Sequence, residues 1–297
     1  MANTRSTLAE LLEPGLKLIF GDNYAQWKPE YLSMFDTEIS KMSDEEYLEL
    51  TGFGLVPTKG EMQPTSYDQA IQGNKAVLVN LIYSLGFKVS RELWDDGQYR
   101  KVRNLPKQLA MSIAQTVETE GALIYDRAFN SSYTNLDDLE LCSRVHTLPG
   151  GGTFANEPET PADFGMTSYE QARIDISLYR NGRNLKTRSV PRRLIVGPAF
   201  EATAKRVLQS PDDPETAERS INPFQNDVDL LVSNYTTDPD AWFLRTNHPG
   251  LVCQKRVWPA EFRKDNDFDP DVAKFKTYFR LVFGWYDPRA IYGNPGA

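Results

Sequence analysis

The sequence predicts an α+β fold, and three stretches carry that expectation. Between Asn104 and Phe129, the residues Leu105, Leu109, Ile113, Val117, Gly121, Ile124 and Ala128 recur at steps of three or four. That spacing puts them on one stripe of a long helix. Val77, Val79, Leu81, Tyr83, Leu85, Phe87 and Val89 occupy every second position, the period of a strand. Leu251 to Phe262 and Lys274 to Trp285 read as two more long strands, joined by the acidic tip Asp265 to Asp271.

Residues 1–50 read as an N-terminal arm. Leu8, Leu11 and Leu12 form a short helical patch that Pro14-Gly15 ends. Leu16, Leu18, Ile19 and Phe20, then Trp27, Tyr31, Leu32, Met34 and Phe35, are apolar and pack on the chain's own core or on a neighbouring copy. Ser43 and Glu46 have capping-box spacing, which predicts a short helix over Ser43 to Leu50.

From Thr51 the pattern is extended, because Gly52, Gly54, Pro57, Gly60 and Pro64 forbid a helix. Gln72-Gly73-Asn74 reads as a turn between an outgoing arm, Leu55 to Ile71, and the alternating strand. A two-stranded ribbon is marginal in water by itself, so another subunit is its natural support.

For the long helix, Asn104 is the expected cap and Pro106 the first-turn proline. About 25 residues at 1.5 Å each make a rod of about 37 Å. Leu148-Pro149-Gly150-Gly151-Gly152 is a glycine turn. Thr167 and Glu170 open a helix that buries Tyr169, Ala172, Ile176 and Tyr179 and ends at Asn181-Gly182. Leu194 to Val196 is a buried strand, and Gly197-Pro198 starts a helix with Phe200, Ala204, Val207 and Leu208 on one face. Ser210 to Asn226 is a polar loop, Ala241 to Arg245 a strand, and the tail Gly284 to Ala297 is aromatic enough to dock.

The totals narrow the function. At roughly 150 residues per domain, 297 residues suggest two domains. Lys plus Arg number 33 against 41 for Asp plus Glu, a formal charge of -8, which argues against a dedicated nucleic-acid reader. With only Cys142 and Cys253, disulfides cannot be the framework. Glu10, Glu13 and Lys17 stand where a signal peptide needs an apolar run. No stretch approaches the roughly 18 apolar residues of a membrane span.

Chemical motifs fail on inspection. The Asp265–Asp271 stretch resembles a calcium loop, but Pro270 replaces the required Gly and Lys276 the final carboxylate. Cys142 with His146, and His248 with Cys253, could supply four zinc ligands, yet their spacing matches no compact zinc site. Gly54 to Gly60 lacks the P-loop lysine, with Glu61 in its place. No catalytic, cofactor or metal residue is therefore assigned, and a metal-dependent hydrolase using the acidic cluster is the remote alternative.

Four stretches carry a resemblance: Tyr83 to Asp96 (YSLGFKVSRELWDD), Arg193 to Phe200 (RLIVGPAF), Thr237 to Thr246 (TDPDAWFLRT) and Phe283 to Ala297 (FGWYDPRAIYGNPGA). His146 to Asn156 (HTLPGGGTFAN) adds a fifth. In this order they resemble a tailed-phage major capsid protein of the Mu-like major head subunit type, with the Hong Kong 97 capsid fold. The resemblance implies an arm over 1–50 and an extended loop over 51–100 that reaches a neighbour. It implies a peripheral domain over 101–145 and 246–285, and an axial domain over 146–245 and 286–297. It also implies self-assembly into hexamers and pentamers of an icosahedral shell around double-stranded DNA, without catalysis or cofactor. Scaffold, portal and decoration proteins are the implied partners, in a virion assembled in the host cytoplasm. Expected assembly contacts are Lys59, Glu61, Tyr83, Arg91, Glu92, Trp94, Asp265, Asp267, Asp269 and Asp271. A cellular nanocompartment shell of the same fold is the alternative. Lys59 and Lys75 lie in the ribbon, but no partner is assigned for a cross-link.

Overall fold

The computed structural model describes residues 15–22, 28–96, 99–212, 221–267 and 272–297. The described chain begins in a helix, α1 (15–22), followed by one turn, α2 (Tyr31–Met34). Strands β1 (Asp36–Ile39), β2 (Asp44–Leu50), β3 (Gln72–Val79) and β4 (Leu81–Ser90) follow. A short helix α3 (Arg91–Asp95) leads into the long α4 (Tyr99–Asp126). Next come β5 (His146–Thr147), β6 (Thr153–Phe154), α5 (Met166–Ser177), β7 (Pro191–Val196) and α6 (Glu201–Gln209). The chain closes with β8 (Asp229–Val232), β9 (Trp242–Thr246), β10 (Leu251–Asp267), β11 (Val272–Trp285) and β12 (Ile291–Asn294).

Two four-stranded sheets organise these elements, one ordered β1-β10-β11-β4 and the other β12-β9-β7-β8. One apolar core joins them. Leu109, Ile113, Val117 and Tyr125 of α4 meet Cys253, Phe279 and Phe283 of the first sheet and Ile195, Phe243 and Ile291 of the second. Tyr125 sits edge-on to Phe243 at 5.1 Å and to Phe35 at 5.6 Å, so the helix is packed from both sides. A second core lies where α5 and α6 cover the β7–β9 sheet, around Tyr169, Ile176, Leu194 and Trp242. Leu16, Val89, Val102 and Phe275 form a small third core where α1 meets the start of α4.

Several local expectations need correction. The long helix starts at Tyr99, so Asn104 and Pro106 lie inside it. Val102, Pro106 and Leu109 are all buried at helical spacing, and this apolar face carries the helix through a proline that removes one backbone bond. Asp44–Leu50 is a strand, not a capped helix. It pairs antiparallel with β3, Tyr47 stacks on Tyr286 at 4.3 Å, and Glu49 reaches Arg289. Tertiary partners outweigh the local capping signal here. Leu55 to Ile71 forms no strand, and Gln72-Gly73-Asn74 is the start of β3 rather than a turn. The alternation from Val77 to Val89 crosses Asn80, where the chain passes from β2's partner to β11's partner. Tyr83 and Phe87 stack on Phe279 and Phe275, both at 5.2 Å, which holds β4 in its own subunit's sheet. Helix α5 is capped by Ser168, whose hydroxyl accepts the Gly165 N–H at 2.9 Å, and not by Thr167. Gly15 is the first described residue of α1, while the Leu8 patch and Pro14 lie outside the described residues.

Candidate assembly interface

Between β2 and β3 the chain runs out and back over residues 51–71 without a helix or strand. Gly and Pro keep it extended, and its apolar side chains face outward. Phe53 is 67% exposed, Leu55 81%, Val56 94%, Met62 99% and Tyr67 93%. Isolated exposed apolar residues are ordinary on a protein surface. Five of them on one loop make a concentration of exposed apolar surface that calls for an explanation.

The root of the loop is tied down. Thr51 N–H donates to the Ile71 carbonyl at 3.0 Å, and Ile71 N–H returns to the Thr51 hydroxyl at 2.9 Å. The Gly54 and Gln69 N–H groups hold the Asp68 carboxyl below the usual carboxylate range, and Arg183 adds to the effect. One strand lower, Arg289 donates to Glu49 at 3.1 Å and to Asp287 at 2.7 Å. Burial opposes the charge on Arg289, but two carboxylates more than offset it and hold the guanidinium above its ordinary value. Glu49 has one shared cation, so burial prevails and its carboxyl is pushed up. Gly150-Gly151-Gly152 also finds its role here. Gly150 N–H donates to the Gly182 carbonyl at 2.7 Å, and Gly151 and Gly152 take φ of +91° and +89°.

The expected contact residues are scattered. Lys59 and Glu61 are exposed on the loop, with Lys59 Nζ 3.4 Å from the Thr65 hydroxyl. Tyr83 is half-buried in the sheet, and burial together with Glu120 pushes its hydroxyl up to about 12. Arg91 and Glu92 are exposed on α3, where Arg91 approaches Asp95 at 3.4 Å; Trp94 belongs to the same helix. Asp265 is exposed on β10 opposite Lys274, and Asp267 is the strand's last residue. Asp269 and Asp271 lie outside the described residues. Arg183, Arg289, Glu49 and Asp68 tie down the root of the loop, and the sequence reading does not single them out. Their only local signals are the turns at Gly150 and Gly182, read separately as punctuation.

Among the described residues no group of three or more His, Cys, Asp or Glu side chains could hold a metal. His146 instead bonds Asp137 at 2.8 Å and Asn156 at 3.1 Å, and His248 bonds Ser189 at 2.7 Å. No helix among the described residues is long and apolar enough to cross a membrane.

The phage capsid protein family matches residues 82–294, well over half of the chain. The match begins inside β4, so the projecting loop precedes it. No curated protein matches the sequence. Among solved structures, a chain from Gordonia phage Cozz superposes with a TM-score of 0.55 at 12% identity, covering 92% of this chain and 90% of that one. The procapsid of bacteriophage JBD30 gives 0.52 at 14% identity, over 97% and 74%. The SrpI encapsulin of Synechococcus elongatus PCC 7942 gives 0.54 at 11% identity, over 92% and 89%. At these identities the likeness is one of fold, and it agrees with the sheets, long helix and projecting loop described above. The chain belongs to the phage capsid protein family and has the Hong Kong 97 capsid fold.

Proposed function

We propose that this chain is the major head subunit of a tailed phage, assembling into hexamers and pentamers of an icosahedral shell that encloses double-stranded DNA. The supporting observation is the projecting loop over 51–71, where Phe53, Leu55, Val56, Met62 and Tyr67 are all exposed. A shell spreads its binding over several contacts per copy, so each can be weak and correctable while the whole is stable. The formal charge of -8 suits a wall that does not grip DNA strongly. The exposed residues Lys59, Glu61, Arg91, Glu92 and Asp265 serve this reading as rim contacts around apolar anchors. Scaffold and portal proteins, and decoration proteins where present, complete the particle in the host cytoplasm. The role is structural, without turnover.

Negative-stain microscopy of the purified protein, with and without co-expressed scaffold, tests this reading. Shells, tubes or capsomers are expected, and a strictly monomeric particle under every condition rejects it. The fold likeness to an encapsulin keeps a nanocompartment shell as the second reading. The contents of purified particles separate the two, since packaged DNA favours a phage head and a packaged enzyme favours a compartment.

A further inference from the structure

The 51–71 loop leaves the body through a neck, and Arg183 from the body bridges both of its sides. Arg183, in the turn after α5, donates from Nε to the Gly52 carbonyl at 3.1 Å on the outgoing side. Its Nη2 reaches the Asp68 carboxylate at 3.1 Å and the Gln69 carbonyl on the returning side. Asp68 passes the link back across the neck by accepting the Gly54 N–H at 2.7 Å. A guanidinium can hold several acceptors in a fixed fork, whereas an ammonium group is a point charge with no such plane. The turn carrying Arg183 is pressed against the loop's root. A Cβ on Gly182 would stand 2.5 Å from the Thr51 methyl group, so only glycine permits this approach. Below the neck, Arg289 fixes Glu49 of β2. Above it, Phe53, Leu55, Val56, Met62 and Tyr67 are all exposed. The direction of the loop is therefore set at its neck.

We infer that Arg183 is a positioning residue for assembly, holding the loop in one direction before any neighbour arrives. The inference rests on the reading that the loop meets another copy of the chain. An arm aimed in advance loses less conformational freedom on docking, so weak contacts suffice. Aiming also selects among neighbours, because the loop can reach only those copies that lie on its line.

Distance measurement between two spin labels tests this on full-length, unassembled subunits. Both native cysteines are buried, so labels go to Thr58→Cys near the loop tip and Ala202→Cys on α6, both exposed positions. One narrow distance distribution is expected. Arg183→Gln should broaden it at least about twofold while the melting temperature stays within about 2 °C, a shift of about 1 kcal/mol in a chain of this size. Arg183→Lys should broaden it as well. If Arg183→Gln fails to fold, Asp68→Asn removes the exposed partner instead and should broaden the distribution on an intact body. A distribution as narrow as the parent's in a folded Arg183→Gln or Asp68→Asn variant overturns the inference. The docking reading is tested separately by Val56→Asp, which leaves the neck untouched. Normal particles from that variant would remove the reading without altering the distance result.

Discussion

Glu118, on the buried side of α4, accepts the backbone N–H of Tyr31 at 3.0 Å while only 3% exposed. Its other carboxylate oxygen takes the Glu30 N–H at 2.9 Å. One helix side chain thereby caps the turn α2 from 87 residues away in sequence. Glu118→Ala would leave two N–H groups without this acceptor, which should cost about 3 kcal/mol. Urea unfolding should show a lower midpoint with an unchanged slope. A loss below about 0.5 kcal/mol would mean that water replaces the carboxylate.

Leu85 and Gly86 are adjacent on β4 yet should behave in opposite ways. Leu85 is 52% exposed, so Leu85→Asp should keep the circular dichroism of the parent and impair particle formation. A Cβ on Gly86 would meet the Phe275 carbonyl oxygen at 2.5 Å, so Gly86→Val should break the β4–β11 pairing and damage the fold itself. The sequence alone groups both with the projecting ribbon, and the register of β4 on β11 separates them.

Ile113 is 2% exposed at the middle of the shared core. Ile113→Asp buries an unpaired carboxylate there and should cost more than about 4 kcal/mol, leaving little folded protein. Equal far-ultraviolet spectra for Ile113→Asp and Leu85→Asp would contradict the division between core and contact surface.

Burial lowers the His248 imidazole below its ordinary value, and Ser189 bonds its Nε2 at 2.7 Å. The folded state therefore resists protonation that the unfolded chain accepts. The resulting stability is present above pH 6.5 and lost as the pH falls toward the folded value. His248→Gln should flatten the stability curve in that window, read by denaturant midpoints at pH 7.5 and 5.5. An unchanged slope would assign the acid sensitivity to other groups.

Cys142 and Cys253 are both 0% exposed. Burial raises both thiols, Cys253 up to about 12, which leaves almost no reactive thiolate at neutral pH. Ellman's reagent should detect neither in native protein and both in denaturant. Rapid native labelling would contradict their burial.

Legibility followed periodicity. The stripe from Leu105 to Ala128, the strands on either side of the acidic tip and the buried face of α5 were readable because burial on one side imposes a period. The helix start is hard to read because a proline and an asparagine with good capping chemistry sit inside a longer apolar stripe beginning at Val102. The Asp44–Leu50 strand is not legible locally because its reasons are distant: β3, Tyr286 and Arg289. The neck was invisible for the same cause. Arg183 meets Asp68 across 115 residues, and no local pattern links an arginine in one turn to a carboxylate in another. Glu118 illustrates the limit on burial, since a carboxylate flanking an apolar stripe reads as solvated until a distant backbone turns out to need it.

The single core beneath both sheets has a mechanical consequence. Tyr125, Phe243, Phe283 and Ile291 share one apolar interior, so bending one sheet against the other would open that close-packed interior to water. Such a subunit behaves as a stiff tile. In the shell proposed above, rings of five and six copies would demand different curvature, and the adjustment would have to come from the seams and from the slender parts that bridge them.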